Sequence, residues 1–135
     1  MTKQLQLVAG LLVIFAGTLL RAQTIAFKVP FNFQISNKTF PAGQYSVSGA
    51  QDYLTVRDAS GKPVFSEIVN SVSGRKVGQN GLIVFRCYGD RCFLSEYWDP
   101  TREFGSQLLT SRSEKELAKQ RRGVYFALLE EPDQR

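Results

Sequence analysis

From Ile25 to Ile35 apolar and polar positions alternate without a break. Ile25, Phe27, Val29, Phe31, Phe33 and Ile35 fall on one face, and Ala26, Lys28, Pro30, Asn32 and Gln34 on the other. Period two is the repeat of a half-buried strand, so the stretch predicts one long strand. Pro30 has no N–H to give to a ladder and predicts a sheet edge or a bulge there. Turn residues follow at Ser36-Asn37-Lys38 and Pro41-Ala42-Gly43. Tyr45 and Val47 alternate with Gln44, Ser46 and Ser48, and Tyr53 to Arg57 form another short strand. Asp58-Ala59-Ser60-Gly61-Lys62 is a strong turn signal, and Pro63 to Val69 reads as the return strand. Ser71 to Gly81 is polar and glycine-rich, a loop. Leu82 to Tyr88 and Cys92 to Trp98 are strands around a tight turn, and Gly123 to Leu129 is a closing strand. Strands at this spacing predict an all-β fold, a small antiparallel barrel or sandwich of about eight strands.

One short C-terminal helix is expected. Ser113 followed by Glu116 fits a capping box, and Gly123 fits a stop after Arg121-Arg122. Glu114 near the start and the arginines near the end match the helix dipole. Its only apolar anchors are Leu117 and Ala118, which predicts a helix lying on the surface.

The N-terminus has a different pattern. Leu7 to Leu20 carries no charge, follows Lys3 and precedes Arg21-Ala22-Gln23. A basic lead, a short apolar run and a small residue describe a signal peptide. The run falls short of the roughly 20 residues that span a bilayer. An uncleaved anchor is the alternative, because Leu20 is bulky for its place before the cut. Cleavage after Ala22 leaves residues 23–135 as a single β domain, periplasmic or secreted, with no transmembrane segment. It also removes Lys3 and Arg21, taking the formal net charge from +5 to +3. That mild excess fits an envelope protein or anionic polymer as partner. It lacks the clustered basic stripe of nucleic-acid binders.

Histidine is absent, which removes the commonest general base and metal ligand. No phosphate loop, nucleophile elbow or calcium loop appears, and no cofactor or metal is expected. Glu96, Asp99 and Glu103 lie near Tyr97 and Trp98. Two carboxylates about 5–9 Å apart support glycoside chemistry, so Glu96 and Glu103 define a hydrolase reading. Against it, Asp99-Pro100-Thr101-Arg102 is ordinary turn composition and Glu96 falls on a strand's polar face. Tyr97 and Trp98 are candidate stacking contacts for a ligand or partner, although strand aromatics are more often core. Ten phenylalanines and five tyrosines also allow a carrier of a small apolar or sugar ligand. Lys115, Lys119, Arg121 and Arg122 are candidate anion contacts or a solvated face. Asp90, Arg91 and Arg86 form a candidate charge cluster at a hairpin tip.

Cys87 and Cys92 are the only cysteines. With Gly89-Asp90 as a two-residue type II′ loop, Tyr88 faces Arg91 and Cys87 faces Cys92. Such a pair has Cα atoms about 4.5–5.5 Å apart, within disulfide reach. Two thiolates without histidine cannot complete a zinc site. A redox pair prefers C-x-x-C at a helix start. A structural disulfide in an exported chain is the expectation.

The order VPF-N-F (Val29 to Phe33), PAG-Q-Y-S-V (Pro41 to Val47), L-T-V-R-D (Leu54 to Asp58), VFRCYGDRCFLSEYW (Val84 to Trp98) and S-x-x-E-K-E-L (Ser111 to Leu117) resembles a group of small exported, functionally uncharacterised proteins of acidobacterial and similar soil-bacterial genomes. The resemblance spans nearly the whole mature chain. It implies an exported single-domain β protein and supplies no catalytic residues. The expected role is structural or interaction-based at the cell envelope, without catalysis. An edge such as the Pro30 segment would pair with a partner by β-addition.

Overall fold

The computed structural model describes residues 24–50, 52–76 and 78–131; the expected leader, residues 1–22, lies outside them. Among these residues run eleven strands and one helix. The strands are β1 (Ile25–Val29), β2 (Phe33–Ile35), β3 (Lys38–Phe40), β4 (Gly43–Gly49), β5 (Tyr53–Arg57), β6 (Pro63–Ile68), β7 (Asn70–Val72), β8 (Leu82–Tyr88), β9 (Arg91–Trp98), β10 (Gly105–Gln107) and β11 (Val124–Leu129), and the helix is α1 (Arg112–Gln120). The fold is all-β with one short C-terminal helix, as the pattern predicts.

Two sheets curl into a half-barrel. The smaller has the order β1-β4-β5-β6, and the larger β11-β8-β9-β10-β7, with β2 joining β9 at Gln34 and Phe93 and pairing with β3. That one parallel contact aside, the pairings are antiparallel. On one side β6 runs into β7 through buried Val69, which ties the sheets together covalently. On the other side β11 and β1 are neighbours, and Glu131 N–H donates to the Ala26 carbonyl at 2.8 Å.

The expected long strand is broken. Pro30 to Asn32 leave the ladder, so β1 is an edge of the smaller sheet while β2 belongs to the larger. Pro30 is the physical cause, since it offers no donor where the chain changes sheets. The alternation survives the break: Ile25, Phe27, Val29, Phe33 and Ile35 are all buried against one core. The strand count exceeds eight because β2, β3, β7 and β10 are three-residue pieces. β7 begins at Asn70 and runs into the segment that reads as loop, taking in Ser71 and Val72.

A bulge shapes the larger sheet. Val84 faces Glu96 but Phe85 faces Leu94, so Ser95 is the extra residue. Its carbonyl accepts from Leu108 N–H at 2.8 Å. The shift in parity turns both Leu94 and Tyr97 into the inner core, although three residues apart they belong on opposite faces of a regular strand.

The helix starts two residues earlier than the sequence predicts. Ser111, not Ser113, is the N-cap, and its Oγ accepts from Glu114 N–H at 3.2 Å. Ala118 is exposed and Leu117 half-buried; the buried residue of α1 is Glu114.

Candidate functional site

The β8–β9 hairpin is the fixed point of the larger sheet. Gly89 takes φ +66° and Asp90 stays at negative φ, the pattern of a type II′ loop. Tyr88 faces Arg91, and Cys87 faces Cys92. The two sulfurs are bonded at 2.07 Å with Cα atoms 4.0 Å apart, so the pair is a disulfide packed on the inner core.

The outer face of this sheet carries a second buried layer of Val84, Tyr88, Phe93 and Trp98. Two carboxylates are buried in it, each closed by an arginine and an aromatic donor. Glu114 descends from α1, and its Oε2 accepts from Tyr88 Oη at 2.9 Å and from Arg86 at 3.3 Å. Arg86 also donates to Tyr125 Oη at 3.1 Å. This demand explains the early helix start, because capping at Ser111 places Glu114 in the first turn facing the sheet. Burial, and then donation to Glu114, push the Tyr88 phenol upward. Glu96 Oε1 accepts from Trp98 Nε1 at 2.8 Å and from Arg75 Nε at 3.2 Å, while its Oε2 takes a second Arg75 nitrogen at 3.4 Å. Gly105 lies flat on the Trp98 ring, where a Cβ would come within 2.5 Å. Only glycine fits there.

Several sequence candidates change character. Tyr97 and Trp98 are 2% and 1% exposed and offer no stacking surface to a ligand or partner. Tyr97 faces the inner core, where its hydroxyl has no hydrogen-bond partner among the described residues. Burial, and then the Asp99 charge, push its phenol well above the ordinary tyrosine range. Glu96 is buried in its Arg75 and Trp98 clasp rather than displayed on a polar face. It lines a depression of about 320 Å³ with Arg75 and Ser73, whereas exposed Glu103 lines a separate groove of about 670 Å³ with Arg102 and Phe104. Among the described residues, the two carboxylates of the hydrolase reading line different depressions.

Lys115, Lys119, Arg121 and Arg122 are all exposed. Lys119 pairs with Glu116 at 3.3 Å, and the Arg121 guanidinium lies against Gly89. The hairpin-tip cluster does not form. Arg86 turns to Glu114, and Arg91 donates to Gln34 at 2.9 Å while covering the Phe93 ring. Turn chemistry at Asp58 and Asp99 is as expected. Asp58 Oδ1 accepts from Ser60 Oγ, Ser60 N–H and Lys62 N–H, which holds its carboxyl below the ordinary range, the Ser60 hydroxyl most of all.

The feature that sequence reasoning missed is the free edge of β11. This strand pairs with β8 on one side only. Val124, Tyr125, Phe126 and Leu129 are 66%, 58%, 42% and 60% exposed. A signal was available: Val124 to Leu129 is apolar on both faces, with Arg121-Arg122 before it and Glu130-Glu131 after it. No protein-family model, curated protein or solved structure matches this chain.

Proposed function

We propose that the chain is an exported, non-catalytic β domain that docks a protein partner at the cell envelope by strand addition along β11. The observation that carries the reading is a six-residue strand without charge, proline or glycine, paired on one side only and apolar on both faces. Natural sheet edges are blunted by lysine, proline or bulges, and β11 has none of these. Strand addition uses such an edge, with the backbone giving affinity and alternate side chains giving selectivity. The Cys87–Cys92 disulfide supports an oxidising compartment, and the expected leader supports export. No helix among the described residues is long and apolar enough to cross a membrane.

The alternatives draw less support. Phe27, Phe33, Phe40, Phe65 and Phe85 fill the inner core, which weighs against a carrier that uses the barrel interior. The separation of Glu96 and Glu103 into different depressions weighs against a hydrolase.

A photo-crosslinking residue in place of Ala127, introduced in living cells, tests the reading. Adducts in the envelope fraction are expected from position 127 and not from the same residue at exposed Lys119. Equal adducts from both positions, or from neither, would remove it. N-terminal sequencing of the same material is expected to begin at Gln23.

A further inference from the structure

The backbone of β11 points to two sides. Leu129 faces Leu82, and the next residue, Glu130, donates its N–H to the Gly81 carbonyl at 2.9 Å. Val124, Phe126 and Leu128 therefore turn their backbone groups toward β8, and Tyr125, Ala127 and Leu129 turn theirs outward. Glu131, next in the outward series, already has a partner: its N–H donates to the Ala26 carbonyl at 2.8 Å. That carbonyl faces β11, so Ala26 turns its backbone away from β4, and Lys28 does the same two residues on.

The two edges share a register as well as a contact. Five residues before Glu131 stands Phe126, and five after Ala26 stands Phe31. Their rings meet at 5.4 Å, so the antiparallel correspondence set at one end still holds at the other. In that correspondence Leu129 falls opposite Lys28, Leu128 opposite Val29 and Ala127 opposite Pro30. The faces agree too: Val29 and Leu128 pack on the inner core, whereas Lys28 and Leu129 are exposed. Between the two ends β1 and β11 form no ladder pair among the described residues. The Glu131 end is pinned to both sheets. Glu130 Oε1 accepts from Gly81 N–H at 2.7 Å beside β8, and Glu131 Oε2 accepts from Gln44 Nε2 at 2.9 Å on β4.

We infer that β1 is a built-in competitor for the β11 edge: the half-barrel zips shut from Glu131, and a partner strand gains the edge only while the zip is open. The inference rests on the strand-addition reading and supplies its regulation. Closure exchanges two hydrogen bonds between Lys28 and Leu129 and adds one from Ala127 N–H to the Pro30 carbonyl. Pro30 has no N–H to return, and beyond Phe31 the chain leaves for the larger sheet, so the zip ends there. So few bonds, set against the freedom lost by the segment they hold, leave open and closed forms both accessible.

Amide hydrogen exchange on the purified full chain, corrected for intrinsic rates, tests closure. Lys28, Ala127 and Leu129 are expected to exchange about tenfold more slowly than Tyr125, whose outward N–H falls opposite Asn32, past the end of the zip. The double variant Lys28→Cys with Leu129→Cys traps the closed form, since facing residues of such a pair lie within disulfide reach. It is expected to form a second disulfide, read by mass, and Lys28→Ala with Leu129→Ala is the unlocked control. Adducts with other proteins from a photo-crosslinking residue at position 127 are expected to fall about tenfold in the trapped chain and not in the control. Equal exchange at Tyr125, Ala127 and Leu129, or no second disulfide, overturns closure. Undiminished adducts from the trapped chain overturn the competition. Adducts missing from every form, with slow exchange and trapping as expected, remove strand addition and leave closure standing.

Discussion

β9 and β11 are both rich in large apolar residues and lie in opposite environments. Seven of the eight residues of β9 are buried, Glu96 included, while five of the six residues of β11 are exposed. The difference lies in their neighbours. β9 is flanked by β8 on one edge and by β2 and β10 on the other, with the smaller sheet inside and the Arg75, Glu96 and Trp98 layer outside. β11 has β8 as its one ladder partner, with β1 reaching it only past its end, at Glu131, and Phe31 touching Phe126 from within at 5.4 Å. Apolar sequence therefore marks a surface that needs covering, and the topology decides what is left to cover it.

The sharpest way to break this comparison is to cut equivalent side chains from the two strands. Trp98→Ala empties the space against Gly105 and strands the Glu96 carboxylate without its indole donor. It is expected to cost about 3–5 kcal/mol in denaturant unfolding. Opening the disulfide with Cys87→Ser and Cys92→Ser is next, at about 2 kcal/mol, because the loop it closes is short. A loss near zero would show that Gly89-Asp90 and the α1 clamp already hold the hairpin. Tyr97 sharpens the contrast through pH. Burial raises its folded-state pKa above the unfolded value of about 10, so the unfolded phenol ionises first. Its contribution is complete below that pH and declines as pH rises beyond it. Thermal melts between pH 8 and 11 are expected to show the decline, and Tyr97→Phe is expected to reduce it while losing only an unpaired hydroxyl. The smallest effect belongs to β11: Val124→Thr is expected to change unfolding of the dilute monomer by less than about 0.5 kcal/mol.

Local chemistry was legible in the sequence, and distant demands were not. The hairpin could be read down to its register, because Gly-Asp between two apolar runs fixes loop type and partner together. The strand alternation from Ile25 to Ile35 correctly gave the buried face. The break at Pro30 needed knowledge that two sheets pass on either side of it. Ser113 and Ser111 are equally good caps by sequence, and the choice is made by Tyr88 and Arg86, more than twenty residues away. Tyr97 could be read as a core aromatic or as a ligand contact, and the bulge at Ser95, which the sequence does not signal, is what turns it inward. The exposure of β11 was hidden for a related reason: composition alone cannot distinguish a central strand from an edge.

The hydrogen bond from Glu131 to Ala26 joins the first described strand to the end of the last. Its two partners lie more than a hundred residues apart in sequence, so the contact closes a very long loop. The disulfide hairpin and the smaller sheet are built from nearer partners and can form before this seam closes. Slow, late closure is the usual cost of contacts between distant parts of a chain. Until the seam closes β1 presents an unpaired edge as well, so the folding chain is then most vulnerable to pairing with the wrong neighbour.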